Sequence, residues 1–256
     1  MIKAAFFDVD GTLLSHRTKQ IPQSARKALE KLKASGIRCV VSTGRMIREM
    51  DRLPMGDVTF DAYITMNGQL TLNADREILY GMPLEGEVKD FVLRLFRERE
   101  VPVILVEPDR LYLNYNCQRV TDVQTAISSR VPPLGEYEGA DIYQVCVYVS
   151  GEEEQVLAPI REICEVTRWH PGGVDVIAKG GGKRSAVSRY LEENGIAPEE
   201  IIAFGDGEND MGMLQLAGIG VALGNAEDQV KAIADYVTDD IDEDGLANAL
   251  KHFNLI

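Results

Sequence analysis

The chain is short of the residues that staple folds or bind soft metals. It has four cysteines, three histidines and one tryptophan in 256 residues. Cys39, Cys117, Cys146 and Cys164 form no C-x-x-C pair, and three of them fall in apolar or strand-like stretches. That argues against a disulfide framework or a zinc site and for inert thiols in a reducing compartment. Basic residues are also scarce: 27 Lys and Arg stand against 41 Asp and Glu, a formal net charge of −14. Such a surface repels a phosphate backbone and no basic run offsets it, which argues against a nucleic-acid partner. No window approaches the roughly 18 apolar residues of a membrane span, and the apolar run at the N-terminus is too brief for a signal peptide or anchor. The expectation is a cytoplasmic protein with no membrane partner, monomeric or a small homo-oligomer. Its 45% hydrophobic and 27% charged residues are ordinary for a globular chain with room for one large domain or two modest ones.

What the chain does have is an alternation of short apolar strands and amphipathic helices. Residues 4–8 read as a buried strand, followed by a polar loop over 15–20. Ile21-Pro22 opens a helix in which Ala25, Ala28, Leu29 and Leu32 recur at helical spacing. Gly36 ends it, and the β-branched run over 37–41 leads into Ser42-Thr43-Gly44-Arg45. A helix over 46–53 and a strand over 62–66 follow. This rhythm predicts parallel strands with right-handed crossovers.

From Leu84 to about Ala178 the texture changes. Residues 87–99 form an amphipathic helix with Val88, Phe91, Val92, Leu95 and Phe96 on one face. Strands at 103–106 and 111–115 flank Glu107-Pro108-Asp109-Arg110 as an antiparallel hairpin. A helix near 119–128, a strand at 142–149, a helix at 152–166 and strands at 167–169 and 174–177 follow. The α/β rhythm then resumes with a helix at 184–194, a strand at 201–204 and a helix at 211–217. Strands at 219–223 and 236–237 and a helix at 246–253 complete it. The predicted fold class is α/β: a Rossmann-like parallel-sheet core of residues 1–83 and 179–256, with an α+β domain inserted at 84–178.

Two of the strands end in acids. The first runs into Asp8-Val9-Asp10-Gly11-Thr12, and the strand at 201–204 into Gly205-Asp206-Gly207-Glu208-Asn209-Asp210. Open α/β sheets bind ligands at the C-terminal ends of their strands, and oxygen ligands gathered there suit Mg2+. Each segment alone has a plain structural reading. D-x-D-G is good turn chemistry, Ser-Thr-Gly-Arg could cap the next helix, and Gly207-Glu208-Asn209-Asp210 could be a turn with an N-cap. Four unrelated turns that all carry metal and phosphate ligands make a poor joint account.

Together these segments resemble the haloacid dehalogenase superfamily of Mg2+-dependent phosphohydrolases, and within it the Cof-type branch, whose large α/β cap is inserted before the family lysine. Asp8-Val9-Asp10-Gly11-Thr12 is similar to the first family motif and Ser42-Thr43-Gly44-Arg45 to the second. Lys183 is similar to the third, and Gly205 through Asp210 to the fourth. The resemblance implies a phosphatase acting on small phosphorylated metabolites, such as sugar phosphates, through an aspartyl-phosphate. A phosphomutase or phosphotransferase using the same intermediate is the alternative, and a non-catalytic module binding phosphorylated metabolites a third reading. The resemblance also implies that Asp10 gives its backbone carbonyl to the metal.

The residue types suit that chemistry. Phosphate monoester hydrolysis needs accelerations up to ~10²¹, and a covalent aspartyl-phosphate splits it into two displacements. Asp8 is the candidate nucleophile. Asp10, two residues on, shares its side of the strand and can protonate the leaving oxygen, then deprotonate water. Asp8 and Asp206 are candidate metal carboxylates, with Asp210 acting through water or holding Lys183. Charge on the transferring group needs fixed donors: the Thr43 hydroxyl, the Gly44 N–H, the Asn209 amide, the N–H groups of Val9 and Asp10, and the Lys183 ammonium. Lys179 rivals Lys183. Gly180-Gly181-Gly182-Lys183-Arg184-Ser185 fails the G-x-x-x-x-G-K-[ST] pattern, because Ile177 and Arg184 stand where Gly and Ser or Thr belong. Lys183 is favoured because it opens a helix. Specificity is expected in the insert, where Asn114, Tyr115 and Asn116 offer polar groups and Trp169 reads as a packing residue. Arg45 and Asn67, at core strand ends, are candidate substrate contacts, and Asn67-Gly68 is equally a plain hairpin turn.

Overall fold

Unbroken burial marks the central strands. Ala4-Ala5-Phe6-Phe7 and Ile201-Ile202-Ala203-Phe204-Gly205 are buried at every position, the pattern of parallel strands covered on both faces. The computed structural model describes residues 1–54, 58–127 and 129–256, so Ser128, at the end of the expected helix near 119–128, lies outside the described residues. In chain order the elements are β1 (Ala4–Phe7), α1 (Gln23–Ala34), β2 (Arg38–Ser42), the single turn α2 (Ile47–Met50), β3 (Ala62–Thr65), β4 (Leu70–Asn73) and β5 (Ile78–Gly81). Next come α3 (Gly86–Glu98), β6 (Val103–Val106), β7 (Leu111–Leu113), α4 (Gln118–Ala126), β8 (Gln144–Val147), β9 (Cys164–His170) and β10 (Gly173–Ala178). The chain ends with α5 (Lys183–Asn194), β11 (Ile201–Gly205), α6 (Met211–Leu216), β12 (Ile219–Ala222), α7 (Asp228–Ile233), β13 (Tyr236–Val237) and α8 (Gly245–His252). It divides into two units, Met1–Tyr80 with Lys183–Ile256, and Gly81–Gly182.

Among the described residues the first unit carries an eight-stranded sheet in the order β13-β12-β11-β1-β2-β3-β4-β5. Neighbours from β13 to β3 are parallel, and β4 turns back antiparallel on β3. The chain winds outward from β1 in both directions, so β1 sits at the topological switch point, where ligand crevices form. Phe7 and Phe204 pair across β1 and β11 with their rings stacked 5.2 Å apart. That register brings the residues just beyond the two strands, Asp8 and Asp206, to one edge. Beneath them Phe6, Val40 and Ile64 pack against Val187 and Leu191 of α5 and Leu214 of α6. The predicted α/β class with a Rossmann-like core is met.

The second unit is an antiparallel sheet in the order β7-β6-β8-β10-β9. The apolar face of α3, with Val88, Val92, Leu95 and Phe96, packs in one cluster with Val103, Val145 and Val174 of the sheet. Two expectations fail. Residues 152–166 are no α-helix: a 3-10 helix covers Gly151–Ile160 and β9 already begins at Cys164. Pro159 inside that segment lacks an N–H and clashes with α-helical continuation. The helix over 46–53 is reduced to Ile47–Met50, prolonged only by turns to Leu53. Pro54 disfavours helix in the residue before it. Among the described residues no helix is long and apolar enough to cross a membrane.

Candidate active site

The loop after β1 is a tight turn hung on one carbonyl. Val9 O accepts the N–H groups of Leu13 (3.0 Å) and Leu14 (2.7 Å), while Gly11 N–H donates to Leu14 O (2.9 Å). Gly11 has φ +84°, and a Cβ there would lie 2.1 Å from Oδ2 of Asp206. Only glycine lets this turn adopt that backbone and lie so close to the acid of the neighbouring strand. Thr12 then holds that acid, its hydroxyl donating to Asp206 Oδ1 at 2.8 Å.

Asp8, Asp206 and Asp210 each place an oxygen within 4.8 Å of the other two. Lys183, the first residue of α5 and 1% exposed, donates to Asp8 Oδ1 and Asp210 Oδ1, both at 2.6 Å. The second oxygen of Asp210 accepts the N–H groups of Asp206 and Gly207 at 3.0 Å each. Burial, then the Asp210 carboxylate, pushes Asp8 up to about 7 against the lowering pull of Lys183. Burial, then Asp8 and Asp210, pushes Asp206 up to about 8, although Thr12 and Lys183 pull it down. For Lys183 burial opposes the charge, but Asp210 and Asp8 prevail and hold the ammonium above its ordinary value.

Three carboxylates against one ammonium leave this buried cluster with a formal charge of −2. All the anionic donors are hard oxygens, and no sulfur or imidazole takes part. That donor set and charge fit a divalent hard cation such as Mg2+, which would offset the burial and the mutual repulsion that raise Asp8 and Asp206.

The carboxylate of Asp10 stands outside this trio. Arg45 grips it in a bidentate pair, Nε to Oδ2 at 2.6 Å and Nη2 to Oδ1 at 2.8 Å. Burial opposes the Arg45 charge, but the hydrogen bonds and charge of Asp10 hold the guanidinium above its ordinary value. Thr43 is buried, its Oγ1 accepting Arg45 N–H at 3.2 Å and leaving its own hydrogen to donate. Asn209 donates from Nδ2 to Asn67 Oδ1 at 2.9 Å, and Asn67 lies against Gly44. Val9 is a buried core side chain that serves the turn through its carbonyl.

The fold thus gathers Asp8, Asp206, Asp210 and Lys183, pairs Asp10 with Arg45, and pairs Asn209 with Asn67. Lys179 instead donates to the Glu162 carbonyl. Asn114 is buried and occupied with backbone: its Oδ1 accepts from Val103 and Tyr115, its Nδ2 donates to Phe96 and Val101. Asn225 gave no signal in the sequence beyond a Gly-Asn turn after an expected strand. It ties the Gly11 turn down, Nδ2 to Gly11 O at 2.8 Å, while its Oδ1 accepts Ile241 N–H at 3.0 Å. Two surface concavities of about 170 and 340 Å³ lie elsewhere on this unit and contain no residue of the cluster, so chemistry rather than volume marks the site.

The family model of haloacid dehalogenase-like hydrolases matches residues 5–250. The chain belongs to that family. The putative phosphatase YkrA of Bacillus subtilis (strain 168) is 31% identical to this hydrolase over 257 residues, covering 99% of this chain and 98% of the relative. Among solved structures, the superfamily phosphatase BT1666 from Bacteroides thetaiotaomicron superposes with a TM-score of 0.88 at 36% identity, covering 100% of this chain and 96% of that one. The subclass IIB sugar phosphatase BT4131 gives 0.86 at 37% identity, with 99% and 100% covered. The family and enzyme class expected from the four motifs are met: the hydrolase is a Cof-type phosphatase of this superfamily.

Proposed function

We propose that the protein is a Mg2+-dependent phosphatase that hydrolyses small phosphomonoesters, sugar phosphates among them, with Asp8 as nucleophile. The observation that carries this reading is Lys183 bridging Asp8 and Asp210 beside Asp206 in a buried cluster of charge −2. An Asp8 oxygen attacks phosphorus, the ester P–O bond breaks, and the leaving oxygen takes a proton from Asp10. Water then attacks the phosphoryl group on Asp8, Asp10 takes the water's proton, and phosphate leaves with the carboxylate restored. Arg45 orients the Asp10 carboxylate to take the water's proton, and one of its two hydrogen bonds must open for Asp10 to carry the proton of the first transfer. Lys183, Thr43, the Gly44 N–H and Asn209 meet the charge on the phosphoryl oxygens. Asp8 and Asp206, with the Asp10 carbonyl, would hold Mg2+, which supplies charge stabilisation of the phosphoryl oxygens when bound. The phosphate chemistry uses residues of the first unit alone, so we place substrate choice in the inserted segment 84–178. The likeness to a sugar phosphatase supports that substrate class.

The test is rapid acid quench after mixing with a ³²P-labelled phosphomonoester. Label should appear on a peptide containing Asp8 and be absent from Asp8→Asn. Free phosphate released mole for mole with substrate consumed supports hydrolysis, whereas a bisphosphate product with little free phosphate would point to a mutase.

A further inference from the structure

The turn between β3 and β4 is strained beyond what a hairpin needs. Met66 (φ 52°) and Asn67 (φ 53°) are consecutive non-glycine residues in the left-handed region, and Gly68 (φ 88°) follows. That region disfavours any residue with a Cβ, methionine more than asparagine. Strain held in a buried segment is a pointer to function when the surroundings fix it in place. Here they do. Met66 N–H donates to the Arg45 carbonyl and Asn67 N–H to the Thr43 carbonyl, each at 3.0 Å. Both carbonyls belong to the loop expected to cradle phosphate.

Two consequences follow from peptide geometry. The described chain has no cis peptide bond, and in a planar trans peptide C=O and N–H point in opposite directions. With the Thr43 carbonyl turned toward the β3–β4 turn, the N–H of Gly44 faces the other way, to the side of β1 and Asp8. The second consequence concerns side chains. Asn67 is 6% exposed, and its Oδ1 accepts from Asn209 Nδ2 at 2.9 Å. A Cβ on Gly44 would come within 3.2 Å of that Oδ1 and 3.4 Å of Nδ2, so the Asn67 amide fills the space beside Gly44. The Asn209 Nδ2 carries two hydrogens. Asn67 takes one, which fixes the amide plane and leaves the second for another acceptor.

We propose that Asn67 is a positioning residue that aims the Gly44 N–H and the Asn209 amide at a single phosphoryl group and touches no leaving group itself. The proposal rests on the phosphatase reading and deepens it. It joins the two readings of Asn67-Gly68: the hairpin turn is the device that orients the phosphate donors. It also gives a reason for the strain, because a relaxed turn would not present both N–H groups to the Thr43 and Arg45 carbonyls.

Asn67→Gly separates side chain from backbone, since glycine accepts the left-handed conformation without cost. The measurements are KM and kcat for p-nitrophenyl phosphate at saturating MgCl2, calorimetric affinity for inorganic phosphate, and Tm. Asn67→Gly should raise KM and weaken phosphate binding about tenfold, the effect of one misdirected charge-assisted hydrogen bond, with Tm largely unchanged. Asn209→Ala should do the same, and the double variant should be little worse than either single one, because the two amides act as a unit. Should Asn67→Gly fold poorly, Asn209→Ala tests the same hydrogen bond from its exposed end. Wild-type KM and phosphate affinity in these variants, or losses that multiply in the double variant, overturn the proposal. Phosphate binding needs no turnover. A wild-type protein that binds phosphate without hydrolysing esters would sink the phosphatase reading while the positioning role was still decided by the variants' phosphate affinities.

Discussion

Replacing Lys183 by methionine should separate stability, metal affinity and catalysis, three properties that one buried ammonium now links. Methionine keeps much of the length and removes the charge. Lys183 is 1% exposed and bonded at 2.6 Å to both Asp8 and Asp210, so its loss leaves three neighbouring carboxylates without a cation. Deleting one partner of a buried ion pair costs roughly 3–5 kcal/mol. In a chain of this size 1 kcal/mol moves Tm by about 2–4 °C, so the metal-free variant should melt about 6–20 °C lower. The loss depends on pH. Asp8 and Asp206 are pushed up to about 7 and about 8 even with Lys183 present. Without it they take up protons more readily, so the penalty should be small in mildly acidic buffer and largest in mildly alkaline buffer. Mg2+ should bind at least as tightly as to the wild type, because the cluster is more negative, and should recover more of the lost Tm. Turnover should still fall by at least about 10², the usual effect of removing a fixed donor from a transition-state site. Differential scanning fluorimetry at both pH values, with EDTA or MgCl2, reads the first two effects, and p-nitrophenyl phosphate hydrolysis the third. Wild-type melting in EDTA at alkaline pH, or a smaller Mg2+ shift than in the wild type, would refute the charge-balance reasoning.

Two further outcomes follow from the same cluster. Gly11→Ala forces a Cβ to within 2.1 Å of Asp206 Oδ2 at φ +84°. It should destabilise the protein by about 1–2 kcal/mol through backbone strain and, by displacing Asp206, raise the half-saturating Mg2+ concentration about tenfold or more, read from thermal shift against MgCl2. In the wild type, Asp8 and Asp206 have folded values raised from 3.8 to about 7 and about 8. The folded state therefore keeps protons that the unfolded chain releases. Their contribution is fully present below about pH 4, declines from there and is gone once pH has risen past 7 to 8, with a slope of up to about 1.4 kcal/mol per pH unit for each group. Denaturant titrations in EDTA should show that decline and titrations in MgCl2 should flatten it; stability in EDTA that rises from pH 5 to pH 8 would contradict the assignment of cause.

What was legible in the sequence follows from what periodicity and residue type can carry. β1 and β11 were readable because both of their faces are covered, which forces continuous apolar runs, and because acids stand where those runs stop. α1 was readable from Ala25, Ala28, Leu29 and Leu32, all buried. β4 and β5 escaped notice: Leu70-Thr71-Leu72-Asn73 is short, and β5, at the sheet edge, exposes three of its four residues. In the insert, the helix expected over 152–166 took no account of Pro159, and the proline prevailed. In the site, residue types were legible and directions were not. Arg45 could be placed near a cleft from its position after β2, but its grip on Asp10 depends on the turn that follows β1. The Asn67–Asn209 pair spans 142 positions, and no local pattern reports such a contact. The same is true of the Thr12 hydroxyl on Asp206 and of Asn225 on Gly11.

The most direct test of the whole account is hydrolysis of p-nitrophenyl phosphate by wild-type protein and by Asp8→Asn, followed as MgCl2 is titrated into EDTA-treated samples. Wild-type activity should be absent without the ion and should rise to saturation with it, while Asp8→Asn stays inactive at every concentration. Undiminished turnover in EDTA, or an Asp8→Asn variant as fast as the wild type, would contradict it.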